Sequence, residues 1–179
     1  MKVVFLDRDG VINKYPGDTK YVTSLKEFKF LPQVKKAISK LYKRGFKIFI
    51  ISNQAGVGKG IFSQAALNRI TKEMLKKIIA AGGRIEGVYY CTHRKEDNCS
   101  CRKPRAGLIE KVKKGYSFDL KKAFFIGDTI RDVSTARLAG CKSILVLSGK
   151  EKLSNRKNWQ LQPDFVFRNL LEAAGFLIK

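Results

Sequence analysis

MKVVFLDRDG, residues 1–10, sets a continuous apolar run, Val3-Val4-Phe5-Leu6, directly before Asp7-Arg8-Asp9-Gly10. A run without polar alternation is what a strand buried on both faces of a parallel sheet requires. Similar runs recur at Ile48-Phe49-Ile50-Ile51, Val88-Tyr89-Tyr90, Phe124-Phe125-Ile126 and Ile144-Leu145-Val146-Leu147. Helical patterns separate them. From Pro32 to Arg44, Val34, Ala37, Ile38, Leu41 and Tyr42 recur at the helical period, with Lys35, Lys36, Lys40 and Lys43 off the stripe. Gly45 ends that helix. Ser63 is a good N-cap for a second stripe, Leu67, Ile70, Met74 and Ile78, that runs to Gly82-Gly83. Pro104 is expected to open a third helix around Leu108, Ile109 and Val112, and a fourth spans Ile130 to Ala139. Residues 148–163 read as a polar loop before a last strand at Phe165-Val166-Phe167 and a terminal helix. Strands alternating with helices predict an α/β fold. Its doubly wound, Rossmann-like parallel sheet carries helices on both faces, in one domain over residues 1–179.

In such sheets ligands bind beyond the carboxyl ends of the strands. The first run is followed there by Asp7-Arg8-Asp9, the second by Ser52-Asn53-Gln54 and the fourth by Gly127-Asp128-Thr129-Ile130-Arg131-Asp132. Singly, each Asp has an ordinary use in an Asx-turn or a helix cap. Together on one rim they repel unless a cation binds, and hard oxygen ligands favour Mg²⁺. Competing motifs fail. Gly10 follows Asp9 at once, so no EF-hand loop is present, and Gly56-Val57-Gly58-Lys59-Gly60 matches neither a dinucleotide fingerprint nor a P-loop.

Cys91, Cys99, Cys101 and the only histidine, His93, fall within 11 residues. Three cysteines and a histidine are a common closed tetrahedral zinc shell. Four protein ligands leave no open position, so the Zn²⁺ is expected to be structural and to pin the loop leading into Arg102-Lys103. Cys141 stands apart and reads as a buried core thiol.

The chain carries 37 Lys and Arg against 15 Asp and Glu, a formal charge of +22. That suggests an anionic partner: nucleic acid, acidic lipid or a phosphorylated metabolite. The basic residues form no tail and no block longer than a pair, so a solvated Lys-rich surface accounts for much of the charge. The 44% hydrophobic content excludes a disordered chain. No apolar stretch approaches a membrane span of roughly 18 residues. The first ten residues look like neither a signal peptide nor an anchor. A cytoplasmic monomer without a membrane partner is expected.

Asp7-x-Asp9-Gly10, Ser52-Asn53, Lys103 and Gly127-Asp128-x-x-x-Asp132 together resemble, in order, the four motifs of the haloacid dehalogenase superfamily of phosphatases. DRDGVIN (7–13), FKFLP (28–32), SNQAGVGKG (52–60) and C-x-H-x5-C-x-C-R-K-P (91–104) resemble the heptose 1,7-bisphosphate phosphatases and related histidinol phosphatases. The similarity spans residues 2–147. It implies an uncapped phosphatase working through an aspartyl-phosphate on Asp7, with Asp9 as general acid and base. It also implies Mg²⁺ on the Asp7 carboxylate, the Asp9 carbonyl and Asp128. Ser52, the Asn53 backbone and Lys103 would bind the phosphoryl group, and Lys59 and Arg102 a second, distal phosphate. Asp132 is either an outer metal partner or an orienter of Lys103. Two positions depart from the heptose pattern: Thr129 stands where many members have Lys, and Lys20 replaces the usual Gly before Tyr21-Val22.

The resemblance points to a Mg²⁺-dependent sugar-phosphate phosphatase acting on heptose 1,7-bisphosphate at C7. Histidinol phosphate or a polynucleotide 3′-phosphate are the alternative substrates within the same chemistry. A non-enzymatic zinc module that binds nucleic acid is the competing class. It is not favoured, because a groove tracking phosphates would not place Asp7, Asp9, Asp128 and Asp132 at its mouth.

Overall fold

A computed structural model describes residues 1–179. Six strands form one wholly parallel sheet: β1 (Lys2–Leu6), β2 (Phe46–Asn53), β3 (Gly87–Cys91), β4 (Phe124–Gly127), β5 (Lys142–Val146) and β6 (Phe165–Phe167). The helices between and after them are α1 (Val34–Lys43), α2 (Gln64–Ala80), α3 (Gly107–Gly115), α4 (Ile130–Ala139) and α5 (Leu170–Leu177). The sheet order is β3-β2-β1-β4-β5-β6. The chain therefore winds outward from β1 in one direction, returns to β4, and winds outward the other way. The switch falls between β1 and β4, where an α/β sheet opens a crevice for ligands.

Alternation along β1 builds two cores. Val4 and Leu6 join the larger one with residues of α1, α2 and α5, among them Leu41, Met74 and Ala174. Val3 and Phe5 face the other side, with Leu108, Ile109 and Val112 of α3 and Ala136 of α4. There Phe5 lies amid Phe49, Phe118 and Phe125, with ring centroids 5.9–6.2 Å away. Ser63 caps α2 by accepting from the Ala66 N–H, and Gly140, at φ 78°, ends α4.

Four local expectations need correction. β3 is an edge strand, half-buried until Cys91, because nothing pairs with its outer side. α1 begins at Val34 instead of Pro32, since Gln33 takes a left-handed turn at φ 58°. α3 begins at Gly107 instead of Pro104. Residues before it turn to carry Lys103 inward, and Gly107 lies so close to the Ser100 carbonyl that a Cβ would sit 2.6 Å away. The polar loop contains a short 3₁₀ segment, Leu153–Asn158, and a buried Trp159 whose indole N–H donates to Glu151 at 3.0 Å.

Phe5 is fully buried at the centre of the aromatic cluster. Phe5→Ala should lower unfolding free energy by about 3–5 kcal/mol in a urea titration. A loss below about 1 kcal/mol would mean that this cluster does not hold the second core together.

Candidate active site

Asp7 is the first residue past β1, and its N–H donates to Ile126 O of β4 at 2.9 Å, fixing it at the switch between strands. The Arg8 N–H donates to Asp7 Oδ1 at 2.7 Å. The Lys103 ammonium lies 2.9 Å from Asp7 Oδ2 and 2.6 Å from Asp132 Oδ1. Asp132 is itself fixed by a capping box at the start of α4. Thr129 donates to Asp132 Oδ2 through its N–H at 3.1 Å and its hydroxyl at 2.6 Å. Both Asp132 oxygens are therefore engaged. Lys103 is fixed at its backbone as well: its N–H donates to Asn53 Oδ1 at 3.1 Å, and Asn53 Nδ2 donates back to Lys103 O at 3.2 Å.

Asp128 follows β4 and is buried. The Lys150 N–H donates to its Oδ2 at 2.8 Å, while its Oδ1 has no protein donor. Gly10 and Gly149 crowd it from either side; a Cβ on either would lie 2.0 Å from Asp128 Oδ2. Asp7, Asp128 and Asp132 bring carboxylate oxygens within 4.8 Å of one another. Three carboxylates against one ammonium leave two uncompensated negative charges in a buried place. Burial, then the charges of Asp132 and Asp7, push the Asp128 carboxyl well above its usual range. Burial likewise raises Asp7, against the pull of Lys103. Burial opposes the charge on Lys103, but Asp132 and Asp7 outweigh it and hold the ammonium up at about 12. Hard oxygens, an undonated carboxylate oxygen and a charge deficit of two fit a divalent cation of the Mg²⁺ type.

Asp9 points another way. It accepts from the Arg8 guanidinium at 2.9 and 3.1 Å, from Asn13 at 2.8 Å and from Gln54 at 2.9 Å. Arg8 is wholly buried, a cost offset by this pairing and by the Tyr90 ring 5.8 Å away. A cleft of about 530 Å³ opens over these groups. It brings together Asp7, Asp9, Ser52, Asn53, Lys59, Arg102, Lys103 and Asp128, every residue singled out for the catalytic and phosphate sites. Residues 15–21 form one wall, and Lys150 reaches across to Asp18 at 2.6 Å. Tyr15 donates to the same Asp18 oxygen at 2.5 Å.

The zinc set also converges. Cys91, Cys99 and Cys101 sulfurs lie 3.3–3.6 Å apart, and His93 Nδ1 is 3.2 Å from Cys101 Sγ. A disulfide would need sulfurs about 2 Å apart. A tetrahedral ion with Zn–S bonds of about 2.3 Å spaces its sulfurs at roughly 3.8 Å, so the four groups fit Zn²⁺ with a slight expansion. Arg102, next to the set, donates to His93 O at 3.3 Å. Cys141 is buried alone, its thiol pushed up to about 12 by burial.

Sequence reasoning missed Arg8, Gln54, Gly149, Lys150 and Arg131. An arginine between two aspartates behind a strand hinted at the Arg8–Asp9 pair. Nothing local marked Gly149 or Lys150, which reach Asp128 only because β5 lies beside β4. Arg131 is exposed on the cleft wall, beside Thr129, whose hydroxyl is engaged by Asp132.

A family model described as HAD-hydrolase-like matches residues 100–173. A D-glycero-beta-D-manno-heptose-1,7-bisphosphate 7-phosphatase from Neisseria meningitidis is 32% identical over 181 aligned residues, covering 100% of this chain and 96% of the relative. A D-glycero-alpha-D-manno-heptose-1,7-bisphosphate 7-phosphatase from Campylobacter jejuni is 31% identical, covering 98% and 95%. The crystal structure of D,D-heptose 1,7-bisphosphate phosphatase from B. bronchiseptica, complexed with magnesium and phosphate, aligns with a TM-score of 0.93. It is 32% identical, with 99% of this chain and 98% of that one covered.

Gly149→Ala should displace Asp128 and lower turnover at least about 100-fold, with the far-UV spectrum unchanged. Turnover within twofold of the native protein would contradict the packing role. Metal analysis should find zinc equimolar with the chain, and Cys99→Ser should lose most of it and melt earlier. Full zinc retention in that variant would remove Cys99 from the ligand set.

Proposed function

The chain belongs to the haloacid-dehalogenase-like phosphatases, within the heptose 1,7-bisphosphate 7-phosphatases, and from that membership we propose that it hydrolyses the 7-phosphate of D-glycero-D-manno-heptose 1,7-bisphosphate. The observation that carries the reading is the Asp7–Lys103–Asp132 bridge beside Asp128 at the sheet's switch point.

In the proposed reaction an Asp7 carboxylate oxygen attacks phosphorus, and the bond to the sugar oxygen breaks. Asp9, which lines the same cleft, turns from the Arg8 pair in its protonated form and gives that departing oxygen its proton. Water then attacks phosphorus of the aspartyl-phosphate, passing a proton to Asp9. Inorganic phosphate leaves and the Asp7 carboxylate is restored. Ser52 and the Asn53 N–H donate to phosphoryl oxygens, and Lys103 balances the charge that builds on them. Asp7, the Asp9 carbonyl and Asp128 would hold Mg²⁺, which when bound offsets the repulsion between phosphate and carboxylates. Asp132 positions Lys103. Its two oxygens are held by Lys103 and by Thr129. Zinc on Cys91, His93, Cys99 and Cys101 is structural and sets the loop that presents Arg102 and Lys103.

Lys59 and Arg102, on the same cleft, take the distal phosphate. Thr129 carries no charge, and Arg131, beside it on the cleft wall, is the cation that stands there. The Lys150–Asp18 pair across the rim suits a compact bisphosphate better than a polynucleotide strand. Ligand cysteines that must stay reduced support the cytoplasm.

A screen of heptose 1,7-bisphosphate, histidinol phosphate and a 3′-phosphorylated oligonucleotide should rank the bisphosphate first by kcat/KM. A higher kcat/KM for either of the others would overturn the substrate assignment. Asp7→Asn should lower phosphate release at least about 1,000-fold. Arg102→Ala should raise KM about tenfold for the bisphosphate and little for the 7-monophosphate; an equal rise for both would place Arg102 elsewhere.

A further inference from the structure

In a parallel sheet every strand starts at the pole opposite the catalytic crevice, and each connecting helix returns its C-terminus there. Here the returns are short: Arg44 and Gly45 join α1 to β2, and Gly140 and Cys141 join α4 to β5. Contacts tie the helix ends together. Ser39 of α1 donates to Gly82 O just beyond α2 at 3.0 Å, and Arg44 donates to Ile178 O beyond α5 at 3.3 Å.

That pole is strongly basic. Lys43, Lys77, Lys114 and Arg137 lie in the last turns of α1 to α4, while Lys2 and Lys142 open β1 and β5. All six are exposed and none has an acidic partner within ion-pair distance. Three acidic side chains stand near these ends: Glu86 pairs with Lys47 at 2.9 Å, Asp119 accepts from the Lys121 N–H, and Asp164 accepts from Ser143 and feels the charge of Arg137. Cations at helix C-termini complement the helix dipole, which explains one or two per helix. Lys2 and Lys142, at the strand starts, lie over the Phe46 and Phe124 rings at 5.5 Å, but neither effect explains what stands among these cations. Met1, Tyr42, Ile79 and Leu138 are exposed large apolar residues on the same segments, with Ile79 64% and Leu138 67% open to solvent.

We infer that this pole docks on an anionic lipid surface, with lysines and arginines over the headgroups and Ile79 and Leu138 entering the interface. Basic residues with exposed aliphatic tips are the pattern of a surface that binds acidic membranes. Nucleic acid would use the charge but gives nothing to isolated aliphatic side chains. No helix is long and apolar enough to cross a membrane, so the contact is peripheral. The catalytic cleft, at the other end of the sheet, stays open to solvent. Composition did not reveal this, because only the fold gathers residues from five segments.

Co-sedimentation of the metal-loaded protein with phosphatidylglycerol–phosphatidylcholine vesicles tests it. Binding should fall with salt and vanish on pure phosphatidylcholine. Lys43→Glu with Lys142→Glu should weaken it at least about tenfold, while Lys26→Glu with Lys157→Glu, the same charge change at exposed sites outside these helix ends and strand starts, should weaken it less than about threefold. Ile79→Ser with Leu138→Ser should weaken it at least about threefold at unchanged charge. Phosphatase turnover close to native in all three double variants reports an intact fold. The proposal is overturned if both charge pairs weaken binding equally, if the serine pair has no effect, or if vesicles do not bind. Tighter binding to duplex DNA that ignores the serine pair would assign the pole to nucleic acid instead.

Discussion

A buried ammonium between two carboxylates, Lys103 with Asp7 and Asp132, is the interaction on which the rest of the site depends. It joins parts of the chain that are remote in sequence. Asp7 follows the first strand, Asp132 lies in the first turn of α4, and Lys103 comes from the loop after β3. Burying one cation there is tolerable only because two anions meet it, and gathering three anions, with Asp128, is tolerable only with that cation and a metal. Each group makes the others' charges affordable.

Local devices serve this bridge. The Thr129–Asp132 capping box aims Asp132 while satisfying the start of α4. The reciprocal Asn53–Lys103 hydrogen bonds seat the lysine's backbone against the end of β2. The cysteine–histidine set closes the loop just upstream, so the lysine arrives from a fixed direction. Glycines at 10 and 149 let backbone approach Asp128 where any side chain would collide with it.

The alternation of apolar runs and helical stripes was sufficient to read the parallel sheet, because buried parallel strands and amphipathic helices leave unlike periodicities. The motif residues were legible for a related reason: they sit immediately after strands, where topology must bring them to one rim. Gly149, Lys150 and Arg131 were not legible, since their meaning depends on which strand neighbours which. The start of α3 was misread because Pro104 is a common first residue of a helix, yet here it belongs to the turn that delivers Lys103. The same limit hid the basic pole. Single lysines at helix ends look ordinary until the sheet collects them.

The two poles divide the charge of the molecule. Much of the acid is drawn into the crevice, while cations dominate the far end, so the net value of +22 describes neither. The central claim is that Asp132 acts through Lys103, and a double-mutant cycle tests it most directly. Single-turnover phosphate release would be compared for the native protein, Asp132→Asn, Lys103→Met and the double variant. Asp132→Asn should slow release at least about tenfold in the native background and less than about twofold when Lys103 is already methionine. An equal slowing in both backgrounds would contradict the account.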